Sequence, residues 1–326
     1  MKRREFITLL GGVAAWPLAA RAQQSGMSLV GFLSSRSPGE SAGIVAAFRQ
    51  GLRETGFVEG QNLAIAFRWA EGRYDKLPAL ASELVGLPVS LLFASGGPPS
   101  AFAAKNATST IPVVFSAVRD PVEIGLVPSL NQPGGNVTGM AVINASLATK
   151  RLELMKELMP SVGVVGYLLN PADRMSEIER KSLVPASSTL GIDVRILDAK
   201  SESELDSIFA GMTEQKISAL VVSGGPFLHS QRERIVGLAA KNSIPTIYAW
   251  REYVLAGGLI SYGTDLAESY HQAAVYAGRI LRGEKPANLP VVQPTKFYMA
   301  INAKTAKVLG IVTPPALLAR ADEVFE

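Results

Sequence analysis

From Ser28 onward, short runs of β-branched apolar residues alternate with longer amphipathic stretches, and this alternation limits the fold more than any other feature of the chain. The first pair is an apolar run at 29–33 followed by a stretch at 42–55 whose apolar residues share one helical face. Such alternation is typical of βαβ units, which build mainly parallel sheets covered by helices. The sequence therefore predicts an α/β protein.

The pattern runs through the chain twice. In the first series, strands are predicted at 29–33, 63–69, 89–94, 111–115 and 137–142, with helices at 42–55, 74–85, 99–107 and 121–130. A helix at 146–159 leads to the second series, with strands at 163–169, 193–197, 219–222, 245–248 and 259–261 and helices at 173–190, 202–212 and 229–242. We therefore expect two similar lobes, each a doubly wound parallel sheet of five strands.

A tail follows the second series. It consists of a helical stretch at 266–282, a Pro-rich stretch at 286–294 and an apolar segment at 297–309, in which Phe297, Ile301, Val308 and Leu309 are predicted core residues. A tail beyond two complete lobes is expected when the chain crosses between them more than once. The Pro-rich stretch is then a hinge connection.

The first 22 residues have the pattern of an export signal. Lys2, Arg3 and Arg4 precede an apolar stretch from Phe6 to Ala20, and a small-x-small cleavage site ends at Ala22. The apolar stretch is shorter than the ~20 residues that span a bilayer. We predict a signal peptide at 1–22, cleaved after about Ala22, and a periplasmic mature protein. The paired arginines resemble the twin-arginine motif, and the general export route stays open as the alternative.

Charge and composition exclude several classes of function. Four of the 32 basic residues and one of the 28 acidic residues lie in the first 22, so the rest of the chain carries 28 basic and 27 acidic side chains. This balance leaves no electrostatic footprint for nucleic acid. The chain has no cysteine and only two histidines, which excludes disulfides and thiolate metal sites and leaves little for any other metal centre. We expect no metal and no cofactor.

Open parallel sheets bind ligands beyond the carboxyl ends of their strands, where helix N-termini present unpaired N–H groups. Loops at 34–37, 95–100 and 116–121 follow strands of the first lobe, and loops at 170–173, 223–227 and 249–252 follow strands of the second. Small residues with exposed amides alternate there with a few aromatics. For any single residue, ordinary capping and turn formation is the alternative. The predicted ligand-binding residues are Ser35, Ser95, Gly96, Gly97, Ala117, Asn170, Gly225, Phe227, Trp250, Glu252 and Tyr262.

Catalytic motifs are absent from the sequence. It contains no GxSxG, GxxxxGK[ST], GxGxxG or HExxH, so we predict no catalytic residues. Asp120 and Glu252 are the only acids predicted to reach a ligand at the cleft edges, while His229 and His271 are expected on helices, partly exposed. Two alternatives stay open: an exported α/β hydrolase that uses Asp120 or Glu252 with bound water, and a ligand-sensing domain that regulates a partner.

Several runs of sequence resemble one family in order along the chain. They lie at 31–33, 48–52, 56–62, 111–115, 133–139, 167–171, 257–263, 280–286 and 301–311. The sequence is similar there to the ABC transporter substrate-binding proteins of the tryptophan/tyrosine-binding type. The resemblance implies a type I periplasmic-binding fold, with two lobes joined by a multi-crossover hinge that close on a small organic ligand. It also implies an exported receptor that delivers the ligand to an ABC permease, and we expect a monomer.

The resemblance also implies a division of the chain and some site residues. The N-terminal lobe comprises 28–142 plus 264–290, and the C-terminal lobe comprises 143–263 plus 296–322. Family members that bind aromatic amino acids contact the ligand through the loop corresponding to 95–100 and through the residue corresponding to Asn170. They usually carry an acid after the third strand of the second lobe, where this chain has Gly224, Gly225 and Pro226. The resemblance therefore supplies no partner for an α-ammonium group at that position.

Overall fold

Two β-sheets organise the part of the chain that the computed structural model describes, which is residues 27–142, 145–173, 176–293 and 297–326. The first sheet contains β1 (Ser28–Ser34), β2 (Leu63–Trp69), β3 (Leu91–Ser95), β4 (Val113–Arg119) and β5 (Val137–Val142). Its strand order is β2-β1-β3-β4-β5, and every pairing is parallel. The five predicted strands of the first series are therefore confirmed.

The second sheet has seven strands rather than five. It contains β6 (Val164–Leu169), β7 (Asp193–Asp198), β8 (Ala219–Val222), β9 (Thr246–Tyr248), β10 (Ile260–Gly263), β11 (Tyr298–Asn302) and β12 (Glu323–Phe325), in the order β12-β11-β10-β9-β8-β6-β7. Strand β11 pairs antiparallel with β10 and parallel with β12, so the tail of the chain extends this sheet at one edge. The other pairings in this sheet are parallel.

Helices connect and cover the strands. They are α1 (Ala42–Glu54), α2 (Leu77–Val85), α3 (Pro98–Ala107), α4 (Ala145–Leu158), α5 (Ser176–Leu190), α6 (Glu202–Gly211), α7 (Pro226–Ser230), α8 (Arg232–Lys241), α9 (Arg251–Leu255), α10 (Leu266–Leu281), α11 (Ala303–Val308) and α12 (Pro315–Arg320). Single 3-10 turns lie at Gly39–Ser41, Tyr74–Lys76 and Pro286–Asn288. Among the described residues, no helix is long and apolar enough to span a bilayer.

Two helix predictions are wrong. Residues 121–130 form turns instead of a helix, because Gly125 takes a φ of 75° after a single turn and Pro128 lacks an N–H donor. The helix predicted at 229–242 begins earlier, at Pro226, and is broken at Gln231 into α7 and α8. Both errors arise because apolar spacing alone does not reveal where the backbone must turn.

Helix α10 follows a strand of the second sheet but packs on the first. It contacts α1 most extensively and also β3, β4 and β5. The two helices approach so closely at Gly51 that a Cβ there would lie 2.3 Å from the main-chain oxygen of His271. Tyr270 reaches the first sheet, with its ring 5.9 Å from that of Phe93. The first lobe therefore includes a helix from the later part of the chain.

The apolar tail segment is only partly buried. Ile301 on β11 is fully buried, whereas Phe297 and Leu309 are half-buried. The prediction that Val308 belongs to the core is wrong, since its side chain is 81% exposed. Helix α11 turns Ala306 inward and Val308, two residues later, faces away from the sheet.

Candidate functional site

Loops at the carboxyl ends of the two sheets contact one another. A Cβ built on Gly97, which follows β3, would lie 3.5 Å from Cγ of Pro226, which follows β8. The main-chain N–H of Phe227 donates a hydrogen bond of 3.1 Å to the hydroxyl of Tyr74. The cleft between the two lobes is therefore closed in this structure, and the contacts that close it can be traced residue by residue.

Arg119 links the two lobes at the centre of this interface. It ends β4 of the first sheet, and its guanidinium pairs with two carboxylates of the second lobe. One nitrogen contacts Asp173 in the loop after β6, and Nη1 lies 2.6 Å from Oε1 of Glu179 on α5. All three side chains are at most 3% exposed. Burial alone would lower the pKa of Arg119, but the charges of Asp173 and Glu179 raise it.

Further side chains of the second lobe complete this buried network. The hydroxyl of Ser223 donates to Oε2 of Glu179 at 2.6 Å, and the hydroxyl of Tyr167 lies 3.4 Å from the same oxygen. Arg151, also fully buried, interacts with Tyr167 and with the charge of Glu179. Asp173 and Glu179, the acids nearest the first lobe, are therefore already paired with cationic and hydroxyl groups of the protein.

A second ion pair joins the lobes nearer the surface. Nη1 of Arg232 on α8 lies 3.6 Å from Oε2 of Glu40 in the first lobe, and both side chains are largely buried. Arg232 begins a run of three charged residues, a pattern typical of a solvated helix face, yet its own side chain is largely buried. Its neighbours Glu233 and Arg234 do face solvent more.

Tyr270 holds the loop after β3. Its hydroxyl accepts a hydrogen bond of 2.9 Å from the N–H of Gly96 and lies 2.8 Å from Oγ of Ser95. Ser35, after β1, donates from Oγ to the oxygen of Gly96 at 2.9 Å. Both Gly96 and Gly97 have φ near 89°, which side chains rarely tolerate, so the pair of glycines is required to start α3 at this point.

Ala117 belongs to the same side of the interface. It lies at an irregularity in the β4–β5 pairing, between Phe115 and Val118, and has a φ of 59°. A Cβ on Gly97 would lie 3.5 Å from its main-chain oxygen. Backbone strain of this kind is often found at ligand sites.

Three predicted residues of the second lobe, Asn170, Gly225 and Trp250, lie in the loops after β6, β8 and β9. Asn170 is buried, and its Oδ1 accepts a hydrogen bond of 3.0 Å from the N–H of Ala172. A Cβ on Gly225 would lie 3.0 Å from Oδ2 of Asp173, so a glycine makes room for that acid. Trp250 is 4% exposed and donates from Nε1 to the oxygen of Gly224 at 3.1 Å.

Arg36 enters the interface from the loop after β1 and is 3% exposed. Its charge acts on His229, Glu252 and Tyr253 of the second lobe. Within the described residues, Nε of Arg36, Nδ1 of His229 and the hydroxyl of Tyr253 have no hydrogen-bond partner. The rings of His229 and Tyr253 are 5.8 Å apart. Three unpaired polar atoms from both lobes are thus buried, and the charge of Arg36 reaches both residues of the second lobe.

The electrostatics of this cluster follow from its burial. Burial and the charges of Arg36 and Arg232 lower the pKa of His229 well below its ordinary value, so the ring is neutral. Burial raises the pKa of Glu252, although Arg36 opposes the shift. The prediction of a partly exposed His229 is wrong, since the residue is 2% exposed. Its helix begins earlier than predicted and carries it into the interface.

The structure brings ten of the eleven predicted ligand-binding residues to the loops of this interface, and Tyr262 lies elsewhere. The carbonyl of Tyr262 accepts a hydrogen bond of 2.8 Å from Nε of Arg151. Its ring lies 6.1 Å from that of Phe297 and lines a separate cavity of about 280 Å³. A larger cavity of about 440 Å³ lies where the chain crosses between the sheets, beside Met140 and Thr264, and none of the eleven residues lines it.

Sequence reasoning missed the charged residues of the interface. Asp120 and Glu252 were expected to be the acids within reach of a ligand, whereas Asp173 and Glu179 lie closest to the first lobe. Asp120 is half-buried, and burial raises the pKa of its carboxyl. An arginine at or just after the end of a strand could have pointed to a charged contact between the lobes, and Arg119 has that position. Among the described residues, no three His, Cys, Asp or Glu side chains are grouped to hold a metal ion.

Comparisons with known proteins identify relatives along most of the chain. Residues 38–325 match the family model described as "ABC transporter substrate binding protein". A tyrosine-binding protein of Clostridioides difficile is 31% identical over 264 residues, which cover 81% of this chain and 75% of that protein. A conserved domain protein of Vibrio cholerae is 29% identical, with a TM-score of 0.83 over 92% of this chain and all of the other.

Two further solved structures differ in their state. An ABC domain from Streptococcus pneumoniae in complex with L-Trp is 28% identical, with a TM-score of 0.82 over 91% of this chain and 100% of that one. A ligand-free, open substrate binding protein from Clostridium difficile is 27% identical, with a TM-score of 0.66 over 91% and 99%. At nearly equal identity, the present structure matches the L-Trp complex better. The two lobes, their type I periplasmic-binding-protein-like fold and the matched residues together assign the chain to the ABC transporter substrate binding protein family.

Proposed function

We propose that this chain is the exported solute-binding receptor of an ABC importer, which captures a small organic ligand between its two lobes and delivers it to a membrane permease. One observation supports this most directly: loops from the carboxyl ends of both sheets meet at one buried interface, where Arg119 of the first lobe pairs with Asp173 and Glu179 of the second. The receptor acts as a monomer in the periplasm, and residues 1–22 are its cleaved signal peptide.

The proposed boundaries of the two lobes follow the strand pairing and the helix packing. Residues 28–142 plus 264–290 form the N-terminal lobe, since α10 packs on the first sheet. Residues 143–263 plus 296–322 form the C-terminal lobe, since β11 joins the second sheet. The ligand contacts both lobes through the loops that carry Ser35, Ser95–Gly97, Ala117, Asn170, Gly225, Phe227, Trp250 and Glu252.

Closure is the step that signals occupancy. The permease can distinguish a loaded receptor only if the ligand binds the closed state more tightly than the open state. The ion pairs that cross the interface already favour closure, and a ligand adds contacts with both lobes. Relatives named for tyrosine and solved with L-Trp make aromatic molecules the first compounds to test.

Thermal-shift screening of aromatic acids, amino acids and small amides supplies a ligand, and small-angle scattering then tests closure. Saturating ligand is expected to shift the open–closed population toward the compact form, so that the radius of gyration does not rise and any open fraction disappears. Native mass spectrometry of the same sample checks that one ligand binds per chain. Binding without any preference for the compact form would refute the proposal, and turnover of the bound compound would favour the hydrolase alternative.

Export is tested separately. The full-length chain is produced in a bacterium, and its periplasmic fraction is analysed by N-terminal sequencing. We expect a mature terminus near Gln23. Recovery of the intact chain in the cytoplasm alone would contradict a cleaved signal.

A further inference from the structure

Charge balance at the interface distinguishes one cation from the others. Arg232 pairs with Glu40, and Arg119 pairs with Asp173 and Glu179, the second of which is also close to Arg151. These groups compensate one another. Arg36 is as buried as Arg119, yet no carboxylate of the described residues lies within ion-pair distance of it.

Glu252 does not neutralise Arg36. It is the acid of the second lobe whose charge Arg36 feels, but burial still raises the pKa of the Glu252 carboxyl. In the part of the chain that the structure describes, no ion pair or side-chain hydrogen bond joins Glu252 to Arg36, whose Nε has no partner. A buried cation without a partner is costly, whereas a paired one is tolerated. The protein alone therefore leaves one positive charge uncompensated where the lobes meet.

The atoms around Arg36 are suited to an anion. Its unpaired Nε is a donor in every state of the protein. The hydroxyl of Tyr253 is a second unpaired donor, and the raised pKa of this phenol keeps its proton in place. Nδ1 of His229, also unpaired, can carry the proton of the neutral ring. Both lobes therefore contribute unpaired donors, and an anionic group can accept several hydrogen bonds.

The acids described at the same interface are poor partners for an ammonium group. Asp173 and Glu179 are engaged by Arg119, and Ser223 donates to Glu179 as well. The loop that follows β8 has Gly224 and Gly225 and contributes no acid. Asp120, whose Oδ2 has no hydrogen-bond partner, and Glu252 remain, but burial raises the pKa of both carboxyls and so disfavours their charged forms. An α-ammonium placed here would lose its hydration and would have only these two disfavoured charges to pair with.

We propose that the ligand is a small organic carboxylate without an α-ammonium group, and that its carboxylate pairs with Arg36 and Tyr253 when the lobes close. This inference rests on the proposed receptor function and names its ligand class. It predicts discrimination against zwitterionic amino acids of the same shape, because burial disfavours the charged forms of Asp120 and Glu252, the acids left to pair with an ammonium.

Matched compounds test the proposal. The purified chain is titrated by calorimetry with three sets that share a skeleton: 3-phenylpropanoate, its amide and phenylalanine; indole-3-propanoate, its amide and tryptophan; and pentanoate, its amide and 2-aminopentanoate. In at least one set, the carboxylate is expected to bind at least tenfold more tightly than both the amide and the amino acid.

Variants then assign the preference to Arg36. Arg36→Met is expected to weaken binding of the carboxylate at least tenfold and to leave the amide nearly unchanged, while Arg36→Lys retains part of the preference. Arg68→Met, which also removes one positive charge but at a surface pair with Glu83, is the control and should bind like the wild type.

The outcomes separate the two proposals. If an amino acid binds as tightly as its carboxylate, or if Arg36→Met keeps the preference, the carboxylate inference is wrong and the receptor function stands. If none of the nine compounds binds, the inference is also wrong, and the receptor function is decided by the scattering and mass spectrometry experiments.

Discussion

Replacing Arg119 by methionine is expected to favour the open form and to weaken ligand binding. Methionine keeps most of the apolar volume of the arginine stem but removes the guanidinium that contacts Asp173 and Glu179. In the closed form, these two carboxylates would then be buried without their partner from the first lobe. In the open form, water reaches the interface and the loss costs much less.

The magnitude follows from the burial of the pair. Removing one partner of a buried ion pair costs about 3–5 kcal/mol, because the remaining charge stays desolvated. If only the closed form bears this cost, a value of about 3 kcal/mol reduces the closed population, and with it the ligand affinity, by about 100-fold. A surface ion pair would change either quantity by less than about fivefold.

Scattering and calorimetry on the same samples measure this effect. We expect a larger radius of gyration for ligand-free Arg119→Met than for the wild type, and binding about 100-fold weaker. Arg320→Met removes an arginine from an exposed pair with Glu157 and is the control. Combining Arg119→Met with Glu179→Gln should cost less than the sum of the two single changes. An unchanged radius together with unchanged affinity would refute the argument that this ion pair controls closure.

Three further changes test the packing and electrostatics. Gly51→Ala is expected to lower the free energy of unfolding by about 2 kcal/mol, because the added Cβ meets the backbone of α10. The control, Gly237→Ala at an exposed helix position, should raise the free energy of unfolding by about 0.5–1 kcal/mol through helix propensity. Denaturant unfolding of both variants measures the sign of each change. Tyr270→Phe leaves the N–H of Gly96 unpaired and should cost about 1–3 kcal/mol in the same assay, and no change would contradict its role in holding the loop. Burial raises the pKa of Glu252 above 4.5, so its cost is absent well below pH 4.5, grows between pH 4.5 and the folded pKa, and is complete above the folded pKa. Glu252→Gln should therefore raise the melting temperature at pH 8 more than at pH 4, and an equal effect at both would be inconsistent with this shift.

Most of the fold could be predicted from local pattern. The alternation of apolar runs and amphipathic stretches predicts ten of the twelve strands, because a strand that is buried on both faces has a continuous run of β-branched apolar residues. Residues 323–325 could not be predicted as a strand, since only three residues pair there and only at a sheet edge. The seventh helix, Pro226–Ser230, was also missed because a five-residue helix is little more than one turn and shows no repeat of the apolar spacing.

The loops of the candidate site could be predicted, but their chemistry could not. Parallel strands place their carboxyl ends at one edge of a sheet, so the glycine loop at Gly96 and the loop at Asn170 were each expected at the ligand-binding edge of their own lobe. Whether an ionisable side chain in such a loop is paired depends on the other lobe, and sequence spacing does not contain that information. Arg36 and Arg119 follow the ends of strands in the same way, yet only Arg119 finds carboxylates across the interface.

The return of α10 to the first sheet makes the order of synthesis matter for folding. A nascent chain that has grown only to Gly263 contains all five strands of the first sheet but lacks the helix that packs on α1. The side of α1 that α10 covers at Gly51 would stay exposed on the ribosome until α10 emerges. Contacts between distant parts of a chain form slowly, and exposed apolar surface promotes aggregation. Folding of the first lobe is therefore expected to be completed only after α10 has been synthesised.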